Sequence, residues 1–279
     1  MKICIVPVCY NSYEDAVKLL GTIEIAFKKT ENVYLDVVLS DNSSSSSHFS
    51  DDYSYSFYYK KNENVGYFPA FNKGLSVLKD AVSEYDFVIV CNVDLVISED
   101  FFTELQGVTK GDNIGLIAPS IISSNDGRDL NPKMKVRPSK FKIRFMQLVC
   151  SNFMLFNLYQ KVLHFRESRR ANKYNEEVPV EPVLEGTKCD TFYGAHGSFM
   201  IFTKRYFEAG ASVNYPRFLF GEEGFVAEQL RMNKLCISHQ TKLKVFDKEH
   251  ASTSQESSKF MCSEHKKSYR YFYDNFLKK

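Results

Sequence analysis

Two polar side chains close one apolar stretch of this sequence and offer the oxygen atoms that cations and phosphates bind. The stretch covers residues 86–94 and ends in Asn92 and Asp94, with one valine between them. A continuous apolar run of this kind predicts a strand buried on both faces, in the middle of a parallel sheet. In open α/β sheets, ligands bind at the carboxyl ends of the strands. We therefore expect Asn92 and Asp94 to hold a hard divalent cation together with the diphosphate group of a substrate.

The alternative for Asp94 is a structural role. A helix is predicted to begin near Ser98, and an aspartate ahead of a helix can accept hydrogen bonds from the backbone of its first turn. This stretch alone leaves the two roles open, so the decision between them depends on the rest of the chain.

Strands and helices alternate through the first 118 residues. Apolar runs predict strands at 3–8, 33–39, 55–59, 86–94 and 114–118, and helical periodicity predicts helices at 13–29, 67–79 and around 100–109. This alternation is typical of a doubly wound α/β fold with a mostly parallel sheet. From Pro119 onward, turn residues and prolines surround one helical stretch, 141–170. After it we expect a strand at 199–202, a helix from 222 to about 233, strands at 235–238 and 243–246, and a C-terminal helix at 259–279.

The composition limits the class of protein. With 279 residues, of which 44% are apolar, the chain can bury one large core or one core with an insertion. A net charge of +2 gives no argument for nucleic acid binding. The seven cysteines are odd in number and lack paired spacing, which predicts reduced thiols in a cytosolic protein. No apolar stretch reaches the ~18 residues that would cross a membrane, and the run at residues 3–8 is too short for a signal peptide.

Two segments combine aromatic and basic residues. The first is the helical stretch at 141–170, and the second is the end of the chain, 269–279. Such segments are typical of helices that lie on an anionic membrane surface. An ordinary helix packed over the sheet is the alternative for the first segment, and the sequence does not decide between the two.

A pair of acidic residues, Glu222 and Glu223, follows an aromatic run and a glycine at the predicted start of a helix. A carboxylate at this position can take the proton of a hydroxyl group that acts as a nucleophile. The charge of Glu222 is expected to raise the pKa of Glu223. Alternatively, both are first-turn acids that the helix dipole favours.

Six stretches of the chain resemble the motifs of family 2 glycosyltransferases, which have the GT-A fold. Each stretch is short, but all six occur in the family's order, and the insertion at about 120–190 is the part without a match. Within the family the chain is most similar to bacterial enzymes that build capsule, O-antigen or related surface polysaccharides. The six stretches are Val6–Asn11 with Asp41–Ser44, Asn64–Tyr67 with Asn72–Gly74, Asn92–Asp94, His196–Ser198, Phe220–Glu223 and Asp247–Thr253.

The resemblance implies a nucleotide-sugar donor that binds over the carboxyl edge of the first strands. Asp41 matches the acid that recognises the nucleotide base, and Pro7 and Asn11 match residues that line the same pocket. The segment that closes over the donor is matched by Asn64, Gly66 and Asn72.

The resemblance also implies the residues of the reaction. Asn92 and Asp94 occupy the place of the family's D-x-D motif, and Asp94 matches its metal-binding acid. Glu223 matches the catalytic base, with Glu222 beside it. The implied cofactor is a divalent metal, Mn²⁺ or Mg²⁺. The residues on the acceptor side are His196 and Ser198.

Two positions depart from the family's pattern. Asn92 replaces the first acid of the D-x-D motif, which reduces the negative charge facing the cation but keeps an oxygen ligand. Where relatives have a metal-binding histidine after the last strand, the count from Glu223 leads to Asp247, and His250 lies three residues later. Either can complete the metal site, because carboxylates suit Mg²⁺ and imidazoles suit Mn²⁺.

We therefore predict a GT-A, Rossmann-like protein with four parts. These are a nucleotide-sugar-binding half at 1–118, a helical insertion at 119–190, an acceptor-side and catalytic half at 191–255, and a C-terminal amphipathic helix at 256–279. The predicted function is inverting, metal-dependent transfer of a sugar to a lipid-linked saccharide at the cytoplasmic face of a membrane, in bacterial surface polysaccharide synthesis.

Two other functions were weighed against this prediction. A catalytically silent member of the fold, which binds a partner or a glycan, is suggested by the departures at Asn92 and Asp247. A sugar nucleotidyltransferase shares the layered architecture, but residues 7–12 contain no glycine that would form its phosphate-binding loop.

Overall fold

Eight strands form one sheet in this computed structural model, which describes residues 1–45, 48–50, 52–108, 111–171, 192–247 and 257–278. The strands are β1 (Lys2–Cys9), β2 (Tyr34–Asp41), β3 (Ser56–Lys61), β4 (Phe87–Asn92), β5 (Leu95–Ile97), β6 (Ile114–Ser123), β7 (Phe199–Thr203) and β8 (Cys236–Asp247). The helices are α1 (Tyr13–Lys28), α2 (Tyr67–Leu75), α3 (Phe101–Gly107), α4 (Lys140–Val149), α5 (Phe153–Ala171), α6 (Lys204–Glu208), α7 (Glu222–Met232) and α8 (Ser258–Phe272). Across the sheet the strand order is β3-β2-β1-β4-β7-β6-β8-β5.

The first half of the sheet is parallel, as the sequence predicts. β1 pairs with β2 on one side and with β4 on the other, and β3 pairs with β2, all in the same direction. Every residue of β1 from Ile3 to Cys9 is buried, as expected for a strand in the middle of a doubly wound sheet. The predicted α/β fold is therefore confirmed. The carboxyl ends of β1, β2, β3 and β4 lie along one edge of the sheet, where ligands of such folds bind.

The second half of the sheet contains antiparallel pairs. β7 runs antiparallel between β4 and β6, and β8 runs parallel to β6. β5, a strand of three residues that the prediction missed, pairs antiparallel with β8. The two strands predicted at 235–238 and 243–246 form a single strand, β8. Polar residues at 239–242 separate two apolar runs in the sequence. In the structure the strand continues across these residues, with a shift in its pairing register to β6 at this point.

The cysteines are not all reduced. Five of the described cysteines are free thiols, whereas Cys236 is disulfide-bonded. The prediction of reduced thiols is therefore wrong for Cys236. Spacing alone could not reveal this bond, because a disulfide depends on the distance between two cysteines in the folded chain.

The chain divides into two compact units. One consists of Met1–Arg137 and Lys188–Gln255 and contains the sheet, and the other consists of Pro138–Thr187 and Glu256–Lys279. In the second unit, the stretch predicted as one helix forms two, α4 and α5, which pack with α8. Their shared apolar cluster is centred on Val149, Cys150, Phe156 and Cys262. In the described part of the chain, we find no helix with the length and apolar character needed to cross a bilayer.

Gly74 allows α2 to pack closely against the sheet. A Cβ atom at this position would lie 2.5 Å from Cγ1 of Val6, a fully buried residue of β1. The β-branched side chain of Val6 has little freedom to move away. Gly21 in α1 differs, since no neighbouring atom of the described residues lies within 4 Å of the corresponding Cβ position.

We predict opposite effects of the same substitution at these two glycines. Gly74→Ala is expected to lower the free energy of unfolding by about 1–3 kcal/mol, because the added methyl group overlaps Val6. Gly21→Ala is expected to raise it by up to about 1 kcal/mol, because alanine is the better helix former. Urea denaturation followed by circular dichroism measures both values. Equal effects of the two substitutions would contradict the packing described for α2.

Candidate functional site

A cavity opens at the carboxyl ends of β1 and β2. Its volume is about 150 Å³, and it is lined by Cys9, Asn11, Tyr13, Asp41, Ser43, Ser45 and Phe49. The backbone N–H of Asn11 donates to Oγ of Ser43 at 2.7 Å, and Oδ1 of Asn11 accepts from the backbone N–H of Ser44 at 3.1 Å. The rings of Tyr13 and Phe49 lie 5.0 Å apart. Aromatic rings beside polar groups suit a flat heterocyclic ligand such as a nucleobase.

Asp41 is the acidic residue of this cavity, and three donors surround it. Its Oδ1 accepts from the backbone N–H of Ser43 at 2.8 Å. Its Oδ2 accepts from the hydroxyl of Tyr59 at 2.6 Å and from Nζ of Lys61 at 3.0 Å. Burial opposes the ionisation of Asp41, but the hydrogen bonds outweigh it and lower the pKa. The side chain is therefore a fixed, ionised acceptor at neutral pH.

Asp94 lies between β4 and β5 and not at the start of a helix. The next helix, α3, begins at Phe101 and has Asp100 at its N-cap, so the capping role considered for Asp94 is wrong. β5 pairs with β8 so that Leu95 lies opposite Asp247. Asp94 directly precedes Leu95 and is therefore near Asp247 along the backbone of the neighbouring strand, and both acidic side chains are buried.

These two carboxylates fit a hard divalent cation. Carboxylate oxygens are the protein ligands that Mg²⁺ prefers, and a bound diphosphate commonly supplies further oxygens. Across the described ranges, no group of three histidine, cysteine, aspartate or glutamate side chains is arranged to hold a metal ion. His250, the other predicted ligand, lies outside the described residues. Asn92 ends β4, and its backbone N–H donates to the carbonyl oxygen of Ser198 at 2.9 Å.

Tyr67, the first residue of α2, is the point where distant parts of the chain meet. Its hydroxyl donates to the carbonyl oxygen of Gly197 at 2.9 Å, and its backbone N–H donates to that of Phe218 at 3.0 Å. The pKa of Tyr67 is raised strongly, first because its hydroxyl is removed from water. The pKa is raised further by the nearby charges of Cys91, Glu222, Asp94 and Glu223. Tyr67 and Glu223 thus both approach Gly197, and the next residue, Ser198, binds the end of β4 through its carbonyl oxygen.

The acidic pair at the start of α7 contains two different environments. Glu222 is buried, and this burial raises its pKa to about 8, with the charge of Glu223 adding to the shift. Glu223 is half-buried, and its Oε1 lies 3.1 Å from the position that a Cβ atom of Gly197 would occupy. The sequence did not predict the burial of Glu222, which arises because the helix turns this side chain into the interior. Phe220 and Gly221, just before the pair, both have positive φ, 67° and 93°.

His196 and Ser198 are joined to each other and to a lysine. Nδ1 of His196 lies 2.9 Å from Oγ of Ser198, and its Nε2 lies 3.3 Å from Nζ of Lys133. An ammonium group can only donate, and the backbone N–H of Ser198 donates to Nδ1 at 3.3 Å, so both ring nitrogens of His196 face donors. Burial, together with the charge of Lys133, lowers the pKa of His196 to about 3. The ring is therefore neutral at physiological pH and holds Ser198 and Lys133 in place.

Gly66 precedes α2 and touches the segment that leads to α7. Its φ is +93°, and a Cβ atom there would lie 2.1 Å from the carbonyl oxygen of Phe218, so only glycine fits. Asn64 approaches the same loop, with its Oδ1 3.4 Å from the backbone nitrogen of Gly66. The carbonyl oxygen of Gly66 accepts from Nδ2 of Asn42 at 3.0 Å, which joins this loop to the end of β2.

The other two predicted donor residues have structural contacts. Asn72 donates from Nδ2 to the carbonyl oxygens of Phe68 at 3.0 Å and Val213 at 2.9 Å. Its amide group therefore ties α2 to the chain that follows α6. Pro7 lies inside β1, opposite Cys91 of β4, and is not part of the cavity lining described above.

Sequence reasoning missed a buried network on α7. Glu228 is fully buried and accepts from Arg137 through Nε at 2.5 Å and Nη2 at 3.1 Å. It also accepts from the hydroxyl of Tyr193 at 2.6 Å and from Nε of Arg231 at 2.8 Å. Burial disfavours the charge of Glu228, but these donors outweigh it and lower the pKa. No local signal could reveal the network, because Arg137 lies 91 residues away in sequence.

Comparisons with known proteins agree with this arrangement. A family model described as glycosyl transferase family 2 matches residues 4–180. A search of the curated proteins found no match. The structure of TarS 1–349 from S. aureus has 10% identity and a TM-score of 0.52, covering 100% of this chain and 73% of that one.

Two ligand complexes among the solved structures are also similar. TarS 1–349 in complex with UDP-GlcNAc has 12% identity and a TM-score of 0.53, covering 92% of this chain and 62% of that one. GalNAc-T7 with UDP, GalNAc and Mn²⁺ has 13% identity and a TM-score of 0.59, covering 98% of this chain and 48% of that one. The chain thus spans less than two thirds of the length of both.

At these identities the structural likenesses establish the fold, which is GT-A. The family model adds a sequence match that covers more than half of the chain and includes the ends of β1, β2 and β4. This protein therefore belongs to glycosyl transferase family 2.

Proposed function

We propose that this protein transfers a sugar from a nucleotide-sugar donor to a hydroxyl group of a saccharide acceptor. Family membership supports glycosyl transfer, and relatives of the same fold have been solved with UDP-GlcNAc and with UDP. The observation that carries the proposal is that Glu223, the hydroxyl of Tyr67 and the end of β4 at Asn92 all approach residues 197–198. Sugar transfer needs a proton acceptor and a site for the departing diphosphate in one cleft, and Glu223 would supply the first and Asp94, just after β4, the second.

The donor is proposed to bind across the ends of β2, β1 and β4. The cavity beside Asp41 would take the base against the rings of Tyr13 and Phe49. Since β1 pairs with both β2 and β4, the diphosphate would extend over β1 towards Asn92 and Asp94. Gly66, Asn64 and Asn72 would shape the segment that covers the donor.

Asp94 and Asp247 would hold the divalent cation, Mn²⁺ or Mg²⁺, with His250 as a further candidate ligand. When bound, the cation would act as a Lewis acid that neutralises the phosphate oxygens of the leaving group. The assignment is supported by the burial of both carboxylates and by the pairing of Leu95, next to Asp94, with Asp247.

Glu223 is the proposed base. Its carboxylate would take the proton of the acceptor hydroxyl, whose oxygen then forms a bond to the anomeric carbon while the bond to the donor phosphate breaks. A single displacement of this kind inverts the anomeric configuration. Gly197 supports the assignment, because a side chain at that position would approach Oε1 of Glu223 and restrict access. Glu222, buried and with a raised pKa, would support Glu223 without acting as the base.

The acceptor is proposed to enter beside His196 and Ser198. We propose a lipid-linked saccharide at the cytoplasmic face of a membrane, in the synthesis of a bacterial surface polysaccharide such as capsule or O-antigen. This finer assignment is supported by the resemblance of the six motifs. In the same scheme, residues 1–118 serve the donor, 119–190 are an insertion, 191–255 serve the acceptor and the reaction, and 256–279 form the terminal helix.

A catalytically silent protein that binds a partner or a glycan is the second candidate. Asn92 favours it, because an amide replaces a carboxylate that would face the cation. Measurement of donor turnover separates the two candidates.

Replacement of Glu223 tests the proposed base. Glu223→Gln keeps the size of the side chain but removes the proton acceptor, and we expect turnover to fall by about 10²–10⁴-fold. Glu222→Gln is the matched control, since Glu222 is largely protonated near neutral pH, and we expect less than about tenfold change. Mass spectrometry of nucleoside diphosphate released from UDP-, GDP- and dTDP-sugars in Mn²⁺ measures turnover without a known acceptor. Equal losses in both variants would refute the assignment of Glu223, and no turnover of any donor would favour the silent alternative.

Replacement of Asp94 tests the cation site. For Asp94→Asn we expect the affinity for UDP in the presence of Mn²⁺ to fall at least about tenfold, because one charge that faces the cation is lost. Removal of the metal with EDTA should weaken binding to wild type in the same way. Isothermal titration calorimetry measures both, with Asp52→Asn, at an exposed position, as the control. Unchanged affinity in Asp94→Asn would remove this residue from the donor site.

The pKa of Glu222 makes stability depend on pH. The ordinary value is 4.5 and the folded value is about 8, so the unfolded chain releases this proton at the lower pH. The contribution of Glu222 is fully present below the unfolded value and is lost as pH rises through the folded value. We expect the free energy of unfolding to decrease over this range in wild type and to decrease less in Glu222→Gln. Urea titrations at several pH values give the two slopes, and identical slopes would contradict the assigned pKa.

A further inference from the structure

The second compact unit presents two apolar stripes to solvent. The stripe on α4 consists of Phe141, Phe145 and Leu148, which are 87%, 54% and 61% exposed. The stripe on α5 consists of Met154, Leu155, Leu158 and Val162, which are between 44% and 81% exposed. Single exposed apolar residues are common on protein surfaces, but a contiguous group of this size marks a binding surface.

Helical spacing shows that the stripes are outer faces of otherwise packed helices. Phe141, Phe145 and Leu148 are four and three residues apart, so they lie on one face of α4. The opposite face, with Ile143, Met146 and Val149, is buried. On α5, Phe156 is buried and lies away from that helix's exposed stripe. Each helix therefore has one apolar face inside the protein and another in solvent.

The two stripes are close to one another. The ring of Phe145 on α4 lies 6.4 Å from the ring of Tyr159 on α5, and Tyr159 is four residues after Leu155 and three before Val162 of the second stripe. α4 and α5 also pack against each other and against α8. The seven side chains thus belong to one surface of the helical unit.

The charge around the stripes is positive. Residues 138–163 include four basic residues and no acidic residue, and the basic ones are Lys140, Lys142, Arg144 and Lys161. On a helical projection of α4, Lys140 and Arg144 fall on one side of the stripe and Lys142 on the other. Arg144 also lies over the ring of Tyr273, with 5.1 Å between its guanidinium carbon and the ring centre. The α4 stripe is therefore bordered by positive charge on both sides.

We propose that the apolar stripes of α4 and α5 dock this protein on an anionic lipid bilayer. Such a surface offers both parts of the complement, since acyl chains accept the apolar side chains and acidic headgroups accept the lysines and arginine. A second copy of the chain fits less well, because dimerisation would bring two positive surfaces together. The proposal specifies the membrane contact suggested with the proposed function, and it can be measured without donor or acceptor.

The end of the chain contributes charge to this unit but few apolar contacts. In α8 and the turn that follows it, the aromatic residues Tyr269, Tyr271, Tyr273 and Phe276 are partly buried, whereas Arg270 and Lys278 are exposed. Of the two segments that the sequence suggested for a membrane, the first therefore supplies the inserting surface.

Vesicle co-sedimentation of the full chain tests the proposal. We expect binding to vesicles of phosphatidylcholine with phosphatidylglycerol, with affinity that falls as salt is raised, and weak binding to phosphatidylcholine alone. The triple variant Phe141→Ser, Phe145→Ser, Leu148→Ser is expected to lower affinity at least about tenfold. The triple variant Lys140→Gln, Lys142→Gln, Arg144→Gln is expected to lower it by about tenfold or more on anionic vesicles.

The matched control carries Val17→Ser and Ile25→Ser, two exposed apolar positions on α1 that are 41% and 47% exposed. It should bind vesicles like wild type, and circular dichroism should show that all variants are folded. The proposal is overturned if wild type does not bind, if it binds neutral vesicles equally well, or if the stripe variant binds like the control. It is also overturned if sedimentation velocity without vesicles shows that wild type is a dimer and that the triple serine variant is a monomer. Donor turnover, measured in parallel, reports on the proposed function separately.

Discussion

Repulsion among carboxylates is the constraint on which this structure depends. Besides burial, the charges of Asp94, Glu222 and Glu223 all raise the pKa of Tyr67. Asp247 pairs with Leu95, the residue after Asp94. Like charges that share a partly buried site are unfavourable, because the protein interior screens them less than water does. The structure reduces this repulsion by burying Glu222, so that it holds its proton near neutral pH. The proposed cation would reduce the repulsion between Asp94 and Asp247 by neutralising their charge.

The strand order is what brings these acids together. β4 lies between β1, which borders the cavity at Asp41, and β7, which follows the His196–Ser198 segment. The chain then turns back through β5, and its pairing with β8 brings Asp247 next to Asp94. A parallel half, with the proposed nucleotide site, and a mixed half, with the proposed acceptor site, thus share one central strand. In this arrangement the backbone hydrogen bond from Asn92 to Ser198 links the two halves directly.

The sequence was informative where a residue's role follows from its neighbours in the chain. The run that ends in Asn92 and Asp94 predicted a buried central strand, because buried parallel strands are apolar on both faces. The alternation of strands and helices predicted a mostly parallel sheet. Strand β5 was missed because three residues carry no measurable period. The raised pKa of Glu222 was not predicted, because burial depends on how the helix is turned and not on the order of the two residues.

Long-range contacts account for most of the remaining differences. The bond from Asn72 to Val213 spans 141 residues, and the pairing of Glu228 with Arg137 spans 91. Nothing in a single sequence links such positions. A glutamate within a helix is ordinarily interpreted as a solvent-facing residue. Glu228 is fully buried instead, which only the structure shows. For this reason neither Glu228 nor its partners were among the predicted site residues.

The partners of Glu228 have one more implication. Arg137 and Tyr193 stand on either side of residues 138–187 in the sequence, and both attach to the helix that carries the proposed base. Both belong to the first compact unit, so these two bonds to Glu228 are made within that unit. The helix of the proposed base is therefore held by two chain segments that are 56 residues apart in sequence (193 − 137).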